Sequence, residues 1–275
     1  MSYFRLMSTL RVDGADLYYQ LRGTGPLLLI SQSGEGDADR STDLVDQLVA
    51  DYTVLTYDRR GLSRSTLDDP AAPVTIAAHA YDVHCLLASQ TDEAALMLGC
   101  SLGAVIGLHL AAHHPEQLSV LVAHEPVAPW LLPEPERRHH QRELAKIQEI
   151  YRAAGLPAAF TEIARVLGID PAAQDVEPDL TPQPMTPQRI ANFGFFIERD
   201  FSAVVEDEAQ VIDGAVGIVP AVGRTTPRKV FDYACAAALA DLVGTGPAEF
   251  PGGHNGNTTH PRAYAARLRE VLSAA

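Results

Sequence analysis

A pentapeptide near the middle of the chain, Gly99-Cys100-Ser101-Leu102-Gly103, fits the pattern G-x-S-x-G. It follows the apolar run AALML and precedes the apolar run AVIGLHLAA, which predict a buried strand and a buried helix. At such a junction the serine sits on a sharp turn, and the flanking glycines let the strand and the helix pass closely. We therefore predict that Ser101 is a nucleophile at the edge of a sheet. The alternative is a glycine-rich turn that only packs.

A nucleophilic serine needs a general base, because its hydroxyl does not ionise at neutral pH. Ten histidines compete for this role. His254 lies in the polar loop PGGHNG after the last predicted strand, whereas His260 precedes Pro261 at a predicted helix start. A residue at a helix start, such as His260, ordinarily caps the helix or lies at the surface. Both remain candidates on these grounds alone.

Alternating strands and helices must position these residues. A turn at Asp13-Gly14 predicts a leading hairpin. Apolar and β-branched runs predict strands at residues 27–31, 52–57, 94–98, 118–123, 216–222 and 248–250, and helical spacing predicts helices over 42–50, 76–89, 104–115, 228–243 and 260–273. This alternation predicts an α/β fold with a parallel sheet. The stretch 94–112 is long enough to span a bilayer, but its glycines, Ser101 and His109 favour a strand, a turn and a helix.

The alternation stops between about residues 126 and 210, where the composition and periodicity are helical and no good strand is visible. A strand resumes at residues 216–222, although Pro220 is unusual inside a strand. The simplest organisation is one α/β core, formed by residues 1–127 and 213–275, with residues 128–212 inserted as a helical lid. Ser101 precedes this insertion and the candidate bases follow it, so one sheet must span the whole chain.

The composition excludes several classes of partner. The 275 residues include 21 Lys and Arg against 35 Asp and Glu, which gives a formal net charge of −14. Nucleic acids and anionic membranes bind basic surfaces, so we expect neither as a partner. The three cysteines form no CxxC, and no HExxH, P-loop or GxGxxG is present, so we expect no metal and no cofactor. We expect a cytoplasmic protein, because no apolar leader segment is visible, and either a monomer or a homodimer.

The stretch DRRGLSRS, residues 58–65, follows the predicted strand 52–57. With the serine turn, the leading hairpin and the histidine loop, it resembles the α/β-hydrolase superfamily over nearly the full chain. Many members carry D-x-R-G-x-G-x-S here, and Ser63 replaces the second glycine. The resemblance implies an α/β-hydrolase fold, with a mostly parallel eight-stranded sheet, helices on both faces and a helical lid. It implies only a structural role for residues 58–65.

The same resemblance favours His254 as the base, since the family places its base in this loop. Most members supply an acid just after the strand that follows the insertion, but the sequence there is VGRTTP and holds no carboxylate. Glu125, at the end of the predicted strand 118–123, is the candidate instead, in the order Ser–Glu–His that zearalenone-lactone hydrolases also show. Asp232 or Asp241 is the alternative acid, and the absence of any acid is the third possibility.

The resemblance also implies an oxyanion hole and a substrate pocket. The amide of Leu102 is one expected donor, and the amide of Ser33 is the other, with Gln32 or Gly34 as alternatives. Gln32 and Trp130 are predicted to line the pocket. Three lid aromatics are further candidates for its lining: Phe193, Phe195 and Phe196.

These residues together predict a serine hydrolase that cleaves a carboxylic ester or lactone of a hydrophobic small molecule through an acyl-enzyme. A carbon–carbon bond hydrolase with the same triad is the alternative reaction. A ligand-binding receptor on the same fold, without turnover, is the alternative of another class.

Overall fold

The computed structural model describes residues 5–170, 175–208, 210 and 214–274. Within these residues the strands are β1 (Arg5–Val12), β2 (Ala15–Gly23), β3 (Leu27–Ser31), β4 (Thr53–Tyr57), β5 (Thr66–Leu67), β6 (Ala95–Cys100), β7 (Leu118–His124), β8 (Gly217–Gly223) and β9 (Ala248–Phe250). They form one sheet in the order β1-β2-β4-β3-β6-β7-β8-β9, with β5 paired to β2. β2 is antiparallel to its three partners, and all other pairs are parallel.

The predicted strands are all present, and the sheet has nine strands where the resemblance implied eight. β5 is absent from the sequence-based prediction. Its two residues pair with Ala15 and Asp16 at the start of β2. A two-residue strand is too short to show the alternation by which a strand is recognised in a sequence.

Helices cover both faces of this sheet. They are α1 (Thr42–Leu48), α2 (Ile76–Ala88), α3 (Leu102–His113), α4 (Glu134–Val166), α5 (Pro187–Phe195), α6 (Phe201–Val205), α7 (Phe231–Val243), α8 (Gly256–Thr259) and α9 (Pro261–Ala274). Leu44 of α1 and Leu268 of α9 share a buried cluster with Leu28 of β3. Val83 of α2 belongs with Leu29 to a second cluster. Because successive strand residues point to opposite faces, these two clusters are the cores on the two sides of the sheet.

The insertion between β7 and β8 is helical, as predicted. It contains α4, α5 and α6, and a π-helical turn at Phe196–Asp200 joins the last two. α4 bends at Gly155, which has a φ of 78°, a value that glycine adopts without strain. Pro157 follows in the first turn after the bend, where a missing N–H removes no helical hydrogen bond. The predicted lid–core boundary at residues 212–213 lies outside the described residues.

Pro220 is accommodated inside β8 by the local pairing. Ala221 accepts a hydrogen bond from the N–H of Glu125 (2.9 Å), so its backbone polar groups face β7. Its neighbour Pro220 therefore faces the opposite side, where pairing with β9 begins only at Ala221. The missing N–H of Pro220 thus removes no ladder hydrogen bond.

The apolar stretch 94–112 forms β6, a sharp turn and α3, as predicted. Among the described residues, no helix combines the length and the apolar character that crossing a bilayer requires.

Candidate active site

Ser101 occupies the turn between β6 and α3 with a strained backbone, at φ 56° and ψ −115°. Its N–H donates to the carbonyl of His124 (2.8 Å), which fixes the turn against β7. A Cβ on Gly103 would lie 2.1 Å from the carbonyl oxygen of Ser31, and one on Gly99 would lie 2.5 Å from that of Gly103. Both positions therefore require glycine, and the strained serine is the geometry of a nucleophile elbow.

Glu125 follows the end of β7 with a positive φ of 45°. This backbone turn directs its fully buried side chain across the tip of β8, where Oε1 accepts the N–H of Gly223 (2.7 Å). Its other oxygen, Oε2, lies 2.8 Å from Nδ1 of His254. The structure thus brings Glu125 and His254 together from neighbouring strand ends.

A second carboxylate reaches the same imidazole. Asp232 lies in the first turn of α7, is fully buried, and places Oδ2 2.7 Å from Nδ1 of His254. The alternative acid Asp241 is exposed near the far end of that helix. Glu125 and Asp232, which sequence reasoning weighed against each other, therefore both contact His254.

The three buried groups shift one another's ionisation. Burial raises the pKa of Asp232 well above the ordinary value of an aspartate. Burial acts to lower the pKa of His254, but contacts with Asp232 and Glu125 more than offset it and raise that pKa. Burial also acts to raise the pKa of Glu125, but the bond from His254 holds it below its ordinary value. Glu125 is thus the persistent anion, while Asp232 and His254 compete for one proton.

Ser101 and His254 line the same cavity. Among the described residues, Ser101 Oγ forms no hydrogen bond with His254, and such bonds often tighten only when substrate binds. The alternative base His260 lies away from this cavity, with Nδ1 2.9 Å from the hydroxyl of Thr259 and Nε2 3.4 Å from Asp175. The structure therefore brings His254, and not His260, to the cavity that Ser101 lines.

The loop after β3 is held by Arg59, which is 1% exposed. Its guanidinium donates to three successive carbonyls, those of Gln32 (3.1 Å), Ser33 (2.7 Å) and Gly34 (2.7 Å). The carbonyl of one residue and the N–H of the next point in opposite directions across a trans peptide bond. The N–H of Ser33 is consequently turned away from Arg59, and Ser33 lines the cavity with Ser101.

Arg59 also joins this loop to the helical insertion. One of its nitrogens lies 2.9 Å from Asp200, at the end of the π-helical turn, and His79 of α2 contacts the other oxygen of Asp200 (3.0 Å). Arg59, Asp200 and His79 are all at most 1% exposed. Sequence reasoning assigned residues 58–65 no direct chemical role, and no spacing signal connects Arg59 with a residue 141 positions later.

The cavity has a volume of about 250 Å³. Its apolar wall comes mainly from the insertion, and its polar groups come from the loops after β3 and β9 and from Ser101. The lining residues are Ser33, Gly34, Glu35, Arg40, Ser101, Phe160, Ile163, Ala164, Leu167, Ile169, Phe193, Phe196, His254 and Asn255.

Two predicted lining residues lie elsewhere. Gln32 is buried and its side-chain oxygen accepts from the hydroxyl of Ser41 (2.8 Å). Trp130 is buried and its indole N–H donates to Asp207 (3.0 Å). Neither lines the cavity at Ser101.

Of the three aromatic residues predicted to line the cavity from the insertion, two do so and one does not. Phe193 and Phe196 line the cavity, whereas Phe195 faces Arg199, whose guanidinium lies 5.2 Å from the ring centre. Leu102 begins α3, and its predicted contribution is its backbone N–H.

Among the residues that the structure describes, two groups of side chains could offer ligand atoms to a metal ion. One is Glu125, Asp232 and His254; the other is His139, His140 and Glu143 on α4. Glu143 already bonds Arg165 (2.9 Å) as well as His140. In the first group both carboxylates approach the same nitrogen of His254, which fits the orientation of a general base by carboxylates.

The fold and this site define a class, an α/β enzyme in which a strained serine and a carboxylate-bound histidine share a cavity. Comparisons place the chain within a family. The family model described as alpha/beta hydrolase fold matches residues 26–172. The chain is 33% identical over 271 residues to the uncharacterized hydrolase YraK of Bacillus subtilis (strain 168), covering 96% of this chain and 95% of YraK.

Solved structures show the same fold. The enol-lactonase from Burkholderia xenovorans LB400 matches with a TM-score of 0.72 and 20% identity, over 97% of this chain and 100% of that one. A hydrolase from Pseudomonas aeruginosa PA01 matches with a TM-score of 0.69 and 22% identity, over 97% and 98%. The chain therefore belongs to the α/β-hydrolase family, and it is a hydrolase.

Proposed function

We propose that this hydrolase cleaves a carboxylic ester or lactone of a hydrophobic small molecule through an acyl-enzyme. The observation that carries the proposal is that strained Ser101 and His254 line one cavity whose wall is mostly apolar, while buried Glu125 bonds the imidazole of His254. Ser101 attacks the carbonyl carbon while Nε2 of His254 takes the hydroxyl proton. Glu125 accepts Nδ1–H, fixes the tautomer and stabilises the imidazolium that forms.

The negative charge that develops on the carbonyl oxygen requires preorganised donors. The N–H groups of Leu102 and Ser33 fill this role, the second held in place by Arg59. When the intermediate collapses, the bond to the leaving oxygen breaks and His254 returns its proton to that oxygen. A water molecule then attacks the acyl group and gives a proton to His254. The bond between the acyl carbon and Ser101 Oγ breaks, His254 returns the proton to Oγ, and the acid is released. In a lactone the leaving hydroxyl stays attached to the acid.

Residues 128–212 serve as the lid of this site. Phe160 and Ile163 of α4 and Phe193 of α5 supply apolar surface opposite the triad, which suits an apolar acyl or alcohol group. The structural likeness to an enol-lactonase supports including lactones among the test substrates.

The test is intact-mass analysis after treatment with a fluorophosphonate, followed by turnover of an ester and lactone panel. We expect one adduct, located at Ser101 by peptide mapping and absent in Ser101→Ala. The matched control is Ser273→Ala, which changes an exposed serine at the end of α9 and should keep both labelling and turnover.

Three outcomes would contradict the proposal. Full esterase activity in Ser101→Ala would show that Ser101 is not the nucleophile. Turnover of vinylogous 1,5-diketones in preference to every ester and lactone indicates a carbon–carbon bond hydrolase. A stoichiometric acyl adduct that never turns over indicates a receptor.

A further inference from the structure

Three charged residues form a cluster apart from the triad, and two of them, Glu35 and Arg40, line the cavity. Glu35 lies in the loop after β3, Arg40 precedes α1, and Arg189 belongs to α5 of the insertion. Both guanidiniums approach the one carboxylate: Arg40 Nε and Arg189 Nη2 lie 3.1 Å and 3.0 Å from Oε2 of Glu35, and Arg189 Nε also bonds Oε1. We call these three residues the arginine pair cluster.

The cluster carries one more positive charge than negative. Glu35 can neutralise only one of the two arginines, and its side chain is 4% exposed. The next carboxylate, Asp37, lies beyond ion-pair distance of Arg40 and is bonded to Ser63 and Arg64. Burial lowers the pKa of Arg40; the charge of Arg189 acts in the same direction, while the charges of Glu35 and Asp37 oppose it. A cation in this position gains stability from a further anion.

Arg40 presents this charge to the cavity. Its side chain is 20% exposed, against 4% for Glu35, and it lines the same cavity as Ser101 and His254. Within the described residues, its terminal nitrogens donate no hydrogen bond; its ion pair with Glu35 runs through Nε. Arg40 also borders a second cavity, whose polar lining includes the carboxylate of Asp43, the hydroxyl groups of Ser41, Thr181, Thr258 and Thr259, and the amides of Gln183 and Asn257.

We propose that Arg40 binds a carboxylate at the end of the substrate remote from the scissile carbonyl. A guanidinium offers parallel N–H donors that match the two oxygens of a carboxylate, and the apolar residues that line the same cavity suit a hydrocarbon spacer. The proposal rests on the proposed function and narrows its substrate class to anionic, largely apolar esters or lactones.

The experiment compares two activated esters of equal length, mono(4-nitrophenyl) adipate and 4-nitrophenyl hexanoate, which differ by a terminal carboxylate. The readout is the ratio of their kcat/KM values after subtraction of spontaneous hydrolysis. Because both esters are measured on one preparation, this ratio does not depend on the fraction of a variant that folds. In the unchanged protein we expect the adipate ester to be preferred, and the preference to decline as ionic strength rises.

In Arg40→Met the ratio should fall about 10- to 100-fold, the size of a hydrogen-bonded charge contact. Arg40→Lys keeps the positive charge but lacks the parallel N–H donors of the guanidinium, so its ratio should fall less. The matched control is Arg152→Met on α4, whose side chain is 57% exposed and pairs with Glu198; its ratio should match that of the unchanged protein. A hexanoate ester preferred by the unchanged protein, or an adipate preference that survives Arg40→Met, overturns the proposal.

A second measurement works without turnover and separates this proposal from the proposed function. Calorimetry on Ser101→Ala should show tighter binding of hexanoate than of 1-hexanol, and Arg40→Met in the same background should remove the difference. Equal affinities overturn the anion subsite even if the enzyme proves to be an esterase. A hexanoate preference without any ester turnover supports the subsite and refutes only the assigned reaction.

Discussion

Replacing Asp232 by asparagine tests the arrangement of two carboxylates around one imidazole. The change keeps the shape of the side chain and removes a negative charge 2.7 Å from Nδ1 of His254. Glu125 still accepts Nδ1–H at 2.8 Å, so the tautomer of the base is preserved. The variant therefore isolates the electrostatic effect of Asp232 on His254.

The direction in which the pH profile moves follows from the protonation state in which His254 acts. The base must be unprotonated, and a nearby negative charge favours the protonated imidazolium, so Asp232 delays the appearance of active enzyme as pH rises. Opposite charges within about 4–6 Å shift a pKa by roughly 1–3 units. The acidic limb of the kcat/KM profile should therefore move to lower pH by about 1–3 units in Asp232→Asn. It should also show one ionisation where the unchanged protein shows two coupled ones.

The assay is the pH dependence of kcat/KM for a neutral activated ester, since this parameter reports ionisations of the free enzyme. Glu125→Gln is the comparison: it removes the oriented acceptor and should lower kcat by about 10³- to 10⁴-fold, whereas Asp232→Asn should lose far less at alkaline pH. An acidic limb that stays in place, or moves to higher pH, would refute the reasoning. So would a loss of kcat in Asp232→Asn as large as that in Glu125→Gln, because Asp232 would then be the essential acid.

Three further predictions concern groups around the triad. Arg59→Met should lower kcat about 10²-fold through the misplaced oxyanion donor, with a much smaller change in KM. Chemical denaturation should show a loss of up to about 3–5 kcal/mol, because the buried Asp200 loses its ion pair with Arg59 and keeps its contact with His79. Adding Asp200→Asn should restore stability but not kcat. Gly103→Ala should destabilise the protein by about 1–3 kcal/mol through backbone overlap, measured by urea unfolding against Gly246→Ala, where a Cβ meets no atom within 4 Å. Trp130→Phe should leave the order of preferred esters in the substrate panel unchanged, because this side chain lies off the cavity.

The sequence predicts the elements of this fold well where their signal is local. The apolar run before Ser101 and the glycines on both sides of it define a strand, a turn and a helix, and the structure contains all three. β5 and the π-helical turn are absent from the prediction, because a two-residue pairing and a one-residue change in helical register leave no periodicity to detect.

The same distinction between local signals and tertiary contacts applies to the candidate site. Ser101, Glu125 and His254 each lie beside a recognisable strand end, and the structure brings Glu125 and His254 into contact. The direction of a side chain is a tertiary property, which is why Gln32 and Trp130 were expected on the cavity wall but bond Ser41 and Asp207 instead. The contacts of Arg59 with Asp200 and of Arg189 with Glu35 join residues far apart in the sequence, and they could not be predicted from spacing.

The π-helical turn at Phe196–Asp200 has a consequence for how this enzyme could acquire new substrates. Its first residue lines the cavity, and its last bonds the guanidinium of Arg59, which holds the loop after β3. Deleting one residue from this turn, such as Glu198, restores a regular helix and rotates one end by about 100° relative to the other. Pocket shape and catalytic geometry would then change in a single step. Laboratory evolution of specificity should therefore tolerate substitutions in α4 far better than length changes between residues 196 and 200.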